Sequence, residues 1–211
     1  MRLSAVVMGG LFAGLLVGAT PATAQIGVGP MGGVSFSNLY GSEKDDFGPG
    51  RSGSTGFLAG VMLDIPLGIV SIRPEVFYVQ KGVQFSDASF AAELSLDYIE
   101  IPILLVVGIP VGSLKVEFFA GPQISFQTKC DVTGGSTGGS EETLACDDPN
   151  IGLEIESKDF GVIFGGGVVV GNFMAQVALD YSLTTLDAEV DPFDIKNQAI
   201  YGLIAWMFRL N

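Results

Sequence analysis

From Ser113 to Gln127 the sequence alternates with a period of two residues. Leu114, Val116, Phe118, Ala120, Pro122, Ile124 and Phe126 fall on one side. Ser113, Lys115, Glu117, Gly121, Gln123, Ser125 and Gln127 fall on the other, with Phe119 the exception. Such a period belongs to an extended strand whose side chains point alternately to the two faces of a sheet. The pattern returns where Phe173, Ala175, Val177, Leu179, Tyr181 and Leu183 oppose Met174, Gln176, Ala178, Asp180 and Ser182. It returns again where Ile200, Ile204, Trp206, Phe208 and Leu210 share a face with Gly202. Glycine and proline divide the rest into short segments, and eight candidate strands lie near 26–40, 55–65, 69–82, 94–109, 114–129, 157–170, 173–183 and 198–210. The second, TGFLAGVMLDI, is apolar on both parities and carries no contrast that assigns its faces.

The connections alternate as well. Three are short (64–68, 110–113 and 171–172) and four are long (near 41–54, 83–93, 130–156 and 184–197). Strict short–long alternation predicts an all-β, eight-stranded antiparallel up-and-down transmembrane barrel, with tight turns on the periplasmic side and long extracellular loops. The strands exceed the ~9–11 residues that cross a bilayer when tilted. A soluble barrel of the lipocalin type is the alternative; it would turn its apolar face inward around a ligand. The long apolar faces and the aromatics near strand ends favour the membrane: Tyr40, Tyr78, Tyr98 and Tyr181 towards the long loops, Trp206 and Phe208 at the other end.

The first 24 residues hold Arg2, an apolar run from Ala5 to Ala19 and a closing Ala22-Thr23-Ala24, the three parts of a secretory signal peptide. The expected organisation is therefore a signal peptide at 1–24 and a barrel domain at 25–211. Export agrees with the two cysteines, Cys130 and Cys146, whose simplest state outside the cytoplasm is a disulfide. Closing that loop contributes about 3 kcal/mol in the chain-entropy model. A net charge of −13 argues against nucleic-acid binding, which needs a basic patch.

Within DYIEIPILLVVGIP (97–110) Glu100 stands between isoleucines, and a lone carboxylate in hydrocarbon is costly. A barrel resolves this: Ile99, Ile101, Ile103, Leu105 and Val107 face lipid and Glu100 faces the lumen. The same parity sends Arg73 and Glu75 inward, and Lys115, Glu117, Gln123 and Asp180 with them. The expected lumenal polar network joins Arg73, Glu75, Glu100, Gln123 and Asp180, with Lys115 and Glu117 lower down. Arg73 is its hub, since a planar guanidinium can bind carboxylates in two places. Eight strands leave an interior that side chains fill, so the network is read as packing.

Five motifs in order carry a family resemblance: Pro74-Glu75, Gln80-Lys81-Gly82, Tyr98-Ile99-Glu100-Ile101-Pro102, Ala120-Gly121-Pro122 and Asp159-Phe160-Gly161. With GGVSFSNLY at 32–40 they resemble the PorT-like outer-membrane β-barrel domain over nearly the whole mature chain. The resemblance implies a small eight-stranded barrel of a Gram-negative outer membrane and implies little about activity. One departure is the ending WMFRLN, which places Phe208 three residues from the terminus.

The sequence thus predicts a structural or interaction component of the cell envelope, monomeric, surrounded by outer-membrane lipid. A protein partner would meet the loop at 130–156. A narrow low-conductance path along Glu75 and Glu100 is the transport reading. No cofactor, metal site or catalytic residue is expected: the chain has no histidine, the usual general base. FGGGVVVG (164–171) precedes a hairpin rather than a helix, so it is no phosphate loop. Asp187, Glu189, Asp191 and Asp194 form an acidic run without the spacing of a calcium loop.

Overall fold

The structure, a computed structural model, describes residues 25–41, 51–86, 90–136, 142–149, 157–184 and 195–210. The strands are β1 (Gly27–Gly41), β2 (Arg51–Leu67), β3 (Val70–Ser86), β4 (Phe90–Val111), β5 (Leu114–Ser136), β6 (Glu142–Ala145), β7 (Lys158–Val170), β8 (Phe173–Ser182), β9 (Ile195–Trp206) and β10 (Phe208–Arg209). Each long strand pairs antiparallel with its neighbours in sequence, and β1 pairs β2 on one edge and β9 on the other. That closes the expected ring of eight long strands. β10 continues β9 past Met207 along β1, and β6 is a short addition to β5.

The three tight turns are two residues each, the first two shorter than the sequence suggested and the third as expected. They are Gly68-Ile69, Gly112-Ser113 and Gly171-Asn172, and the glycine of each takes a positive φ of 89°, 62° and 60°. Two-residue hairpins need that conformation to match strand twist, and glycine adopts it without a Cβ clash. The signal peptide expected at 1–24 and the acidic run at 187–194 lie outside the described residues.

The faces are those of a membrane barrel. Among the described residues thirty large apolar side chains are exposed, including Phe57, Val61, Ile103, Leu105, Phe118, Val177, Ile204 and Trp206. An apolar surface that continuous is unsustainable in water. Inside lie charged residues together with apolar packing: Leu58, Met62, Phe77, Leu104, Phe119 and Ile163 are all buried. The lipocalin alternative would place them the other way round. Leu58 and Met62 settle the faces of β2, with even residues inward below its bulge. Phe119, the exception in the β5 alternation, points into the lumen opposite Gly165, where a Cβ would stand 2.7 Å from the Phe119 ring.

Two bulges shape the long-loop end. Thr128 is an extra residue in β5, since Asp97 pairs Lys129 while Tyr98 pairs Gln127; its hydroxyl donates to Asp97 O at 3.1 Å. Past it the parity of β5 flips, so Cys130 faces Leu96 and Val132 faces Leu94. In β2 the register shifts between Gly53 and Leu58. Ser37 of β1 reaches across that gap, its Oγ donating to Gly82 O at 3.0 Å and accepting from Gly82 N at 2.8 Å. Ser35 Oγ donates in the same way to Gln80 O. Buried backbone groups that lose a ladder partner need such replacements.

Two expectations change. Much of 83–93 and 130–156, read as loop, is strand: β3 runs to Ser86, and β4 and β5 are 22 and 23 residues long. These extensions rise past the apolar band, where water on both sides removes the alternation that marks a strand. Tyr98, placed among the interfacial aromatics, is 1% exposed and points into the lumen beside Glu100. The outer aromatics at that end are Tyr40 edge-to-face on Tyr181, Tyr181 stacked on Phe164, and Tyr78 against Phe57.

Candidate functional site in the barrel lumen

Parity on β3, β4, β5 and β8 brings the lumenal charges together, but into two clusters rather than one network. Arg73, expected as a single hub, holds only the cluster near the tight turns. Its Nε meets Asp64 Oδ1 at 3.0 Å and its Nη2 meets Glu117 Oε2 at 2.8 Å. Its Nη1 lies 3.7 Å from Met174 Sδ. Ser71 Oγ donates to Asp64 at 2.8 Å, and Lys115 Nζ reaches the other oxygen of Glu117 at 2.6 Å. Lys115 sits at the rim, its side chain 40% exposed, while Arg73 and Glu117 are enclosed.

The second cluster centres on Lys81, which the sequence reading passed over. Its ammonium meets Glu100 Oε1 and Asp180 Oδ2, both at 2.6 Å. Gln123 Nε2 donates to Asp180 Oδ1 at 2.8 Å. Tyr201, also missed, lies between Glu100 Oε2 at 3.1 Å and Asp180 Oδ2 at 3.0 Å, with one proton to donate. Lys81 stands 5.4 Å from the Tyr98 ring centre and 5.8 Å from that of Tyr201, within cation–π range. All these groups are buried. Glu75 belongs to neither cluster by contact: it is buried, and its Oε1 meets no hydrogen-bond partner among the described residues.

Simple counting could have found the missed residues except Asp64, whose strand β2 carries no contrast between its faces in the sequence. Lys81 is eight positions from Arg73 on β3, hence on the same face. Tyr201 is the odd member between Ile200 and Gly202, and Asp159 alternates with the exposed Phe160. Asp159 accepts from Ser182 Oγ at 2.5 Å in a small polar group near the long-loop end. Among the described residues no three His, Cys, Asp or Glu converge to hold a metal ion.

Above the lumen Cys130 and Cys146 are joined in a disulfide that ties the turn after β6 to β5. Cys146 N donates to Cys130 O at 3.1 Å, and β6 pairs residues 131–134. The part of the 130–156 segment within the described residues is thus a stapled hairpin on the extended sheet. Residues 137–141 and 150–156 lie outside them.

This arrangement fills a tube: Asp64, Glu117, Glu100 and Asp180 are committed to cations, and Glu75 is buried beside them. Comparison with known proteins agrees with that architecture. A family model described as outer membrane protein beta-barrel domain matches residues 20–188. No curated protein matches the chain. Among solved structures, Neisserial surface protein A (NspA) is 14% identical over 87% of this chain and 97% of its own, with a TM-score of 0.50. Ail, the attachment invasion locus protein of Yersinia pestis, is 12% identical over 87% of this chain and 99% of its own, with a TM-score of 0.44. The N-terminal β-barrel domain of Pseudomonas aeruginosa OprF is 12% identical over 88% and 99%, with a TM-score of 0.36. At 14% identity the likeness to NspA is one of fold alone.

Proposed function

Because this chain belongs to the outer membrane protein β-barrel domain family, and is an integral β-barrel of the outer membrane, we propose that its working surface is the extended, disulfide-stapled sheet at the long-loop end. The lumen is its structural filling, neither a catalytic site nor a pore. The observation that carries this is the reach of β3, β4 and β5 past the apolar band together with the β6 hairpin clamped by Cys130–Cys146. A protein held in lipid that builds ordered sheet into water and cross-links it presents a rigid epitope, and a rigid epitope lowers the ordering cost of binding. The partner is an envelope protein that contacts β6 and the extended strands; the barrel itself is monomeric.

The reading includes export on a signal peptide at 1–24 and kinship with the PorT-like members of the family. The second rests on the five ordered motifs and on their positions in the fold: Glu75 and Glu100 point into the lumen and Asp159 near its mouth. The lumenal residues Arg73, Glu75, Glu100, Lys115, Glu117, Gln123 and Asp180 serve packing and the choice of a single register. The absence of histidine from the sequence supports a role without acid–base catalysis.

The test places a photo-crosslinking residue at Ala91, exposed on β4 and paired with Gly135 of β5 beside the β6 hairpin. The expected result is a defined adduct in intact cells, lost when the segment 131–149 is replaced by a short turn while the barrel still inserts. Adduct formation unchanged by that replacement would contradict the reading.

A further inference from the structure

On the outside of the barrel, at the long-loop end, a groove of about 480 Å³ crosses β2, β1, β9 and β8. Strand register orders its lining into rungs. The lower rung is Thr55, Phe36, Ile200 and Leu179, paired in that sequence across the four strands. The next rung towards the loops is Asn38, Gln198 and Tyr181, likewise paired neighbours. Gly53 at its side has no side chain, which opens the groove. One rung higher Tyr40 pairs Lys196. All share the outward parity of Val34, Ile204 and Val177, each at least 44% exposed.

Read upward, the chemistry passes from hydrocarbon to amide and phenol to ammonium within three rungs. Alternate rungs on one face lie about 7 Å apart along a strand, so the gradient spans the depth over which a lipid changes from acyl chain to headgroup. Tyr181 is held for the task, edge-on to Tyr40 and stacked on Phe164. Charge placement agrees. The chain is strongly acidic, and the outward faces below this level carry no charged side chain among the described residues. Yet Lys158 and Lys196 point outward at this end, on β7 and β9, while Lys129 on β5 is already paired with Asp131. Cations on an acidic protein, at the outer edge of its apolar band, suit an anionic headgroup.

We propose that this groove is a binding site for a phosphorylated glycolipid of the outer leaflet. Phe36, Ile200 and Leu179 take an acyl chain. Gln198, Asn38 and Tyr181 hydrogen-bond sugar hydroxyls. Lys196 meets a phosphate. The site rests on the membrane reading of the outer face, which a boiled-against-unboiled gel shift tests separately.

The test uses the full barrel in detergent, exposed to diphosphorylated lipid A, to the same lipid with its phosphates removed, and to phosphatidylglycerol, with retention read by native mass spectrometry. One lipid A per barrel is expected to survive washing, and the other two lipids to be held about tenfold more weakly. A Lys196→Gln, Gln198→Leu variant is expected to lose about tenfold in lipid A retention, whereas Lys129→Gln, across the ring, is expected to lose none. Equal retention of phosphatidylglycerol, equal loss in Lys129→Gln, or displacement by inorganic phosphate would overturn the proposal. The comparison of lipids on the unaltered barrel decides it even if a variant does not fold, and a retained gel shift with no lipid preference would refute the groove while leaving the barrel intact.

Discussion

The two lumenal clusters use the same chemistry in different solvents. Around Arg73 the ion pairs end at the rim: Asp64 is 14% exposed and Lys115 40%. Around Lys81 every charged side chain is at most 1% exposed, and the carboxylates accept hydrogen bonds from Gln123 and Tyr201. Near an open end, Coulomb attraction is screened and a lost partner is replaced by solvent. In the enclosed middle, attraction is strong but so is desolvation, and a carboxylate stripped of its cation has nowhere to turn. The comparison teaches that the closed cluster fixes the barrel while the open one tolerates change.

The largest effect is expected for Lys81→Met, which leaves Glu100 and Asp180 facing each other. Loss of about 3–5 kcal/mol is predicted, read as a fall in the temperature at which the folded band disappears from unboiled gels. Arg73→Met leaves Glu117 with Lys115 and Asp64 with water, so a loss of roughly 1–3 kcal/mol is expected in the same assay. If the two variants are equally unstable, the difference in solvation does not matter. Tyr201→Phe removes the one proton shared between two carboxylates and should cost about 1.5 kcal/mol; no change would mean that Lys81 alone satisfies both. The smallest effect on the barrel is predicted for Cys130→Ser with Cys146→Ser. The chain-entropy contribution of about 3 kcal/mol acts on the β6 hairpin, so protease sensitivity should rise near 142–149 while the melting of the folded band stays put.

How much of this was readable depended on contrast between faces. The parities of β3, β4, β5, β8 and the end of β9 were plain because apolar residues face lipid and polar ones the lumen. They sent Arg73, Glu75, Glu100, Lys115, Glu117, Gln123 and Asp180 inward, where the structure puts them. β2 gave nothing because Phe57 and Val61 outside and Leu58 and Met62 inside are equally apolar: the lumen has its own hydrocarbon sector. Tyr98 was misplaced because aromatic residues near strand ends suggest an interface, although its parity with Glu100 points inward. The division into two clusters was hidden, since parity names a face and not a height along the barrel. The sheet above the apolar band was also hidden: Ser, Thr, Gly and Asp in water on both sides leave no periodic signal, and only the pairing in space reveals the strands.

The central claim, that the apolar face points into lipid and the polar face into the lumen, can be tested on a single residue. Trp206 is the chain's one tryptophan, outward and 49% exposed near the tight-turn end. The barrel would be reconstituted in vesicles of lipids with brominated acyl chains and its intrinsic fluorescence compared with that in unbrominated vesicles. The account predicts strong quenching by the lipid-borne bromines and little by iodide in the water. Fluorescence untouched by brominated chains and quenched by iodide would place Trp206 in water and contradict it.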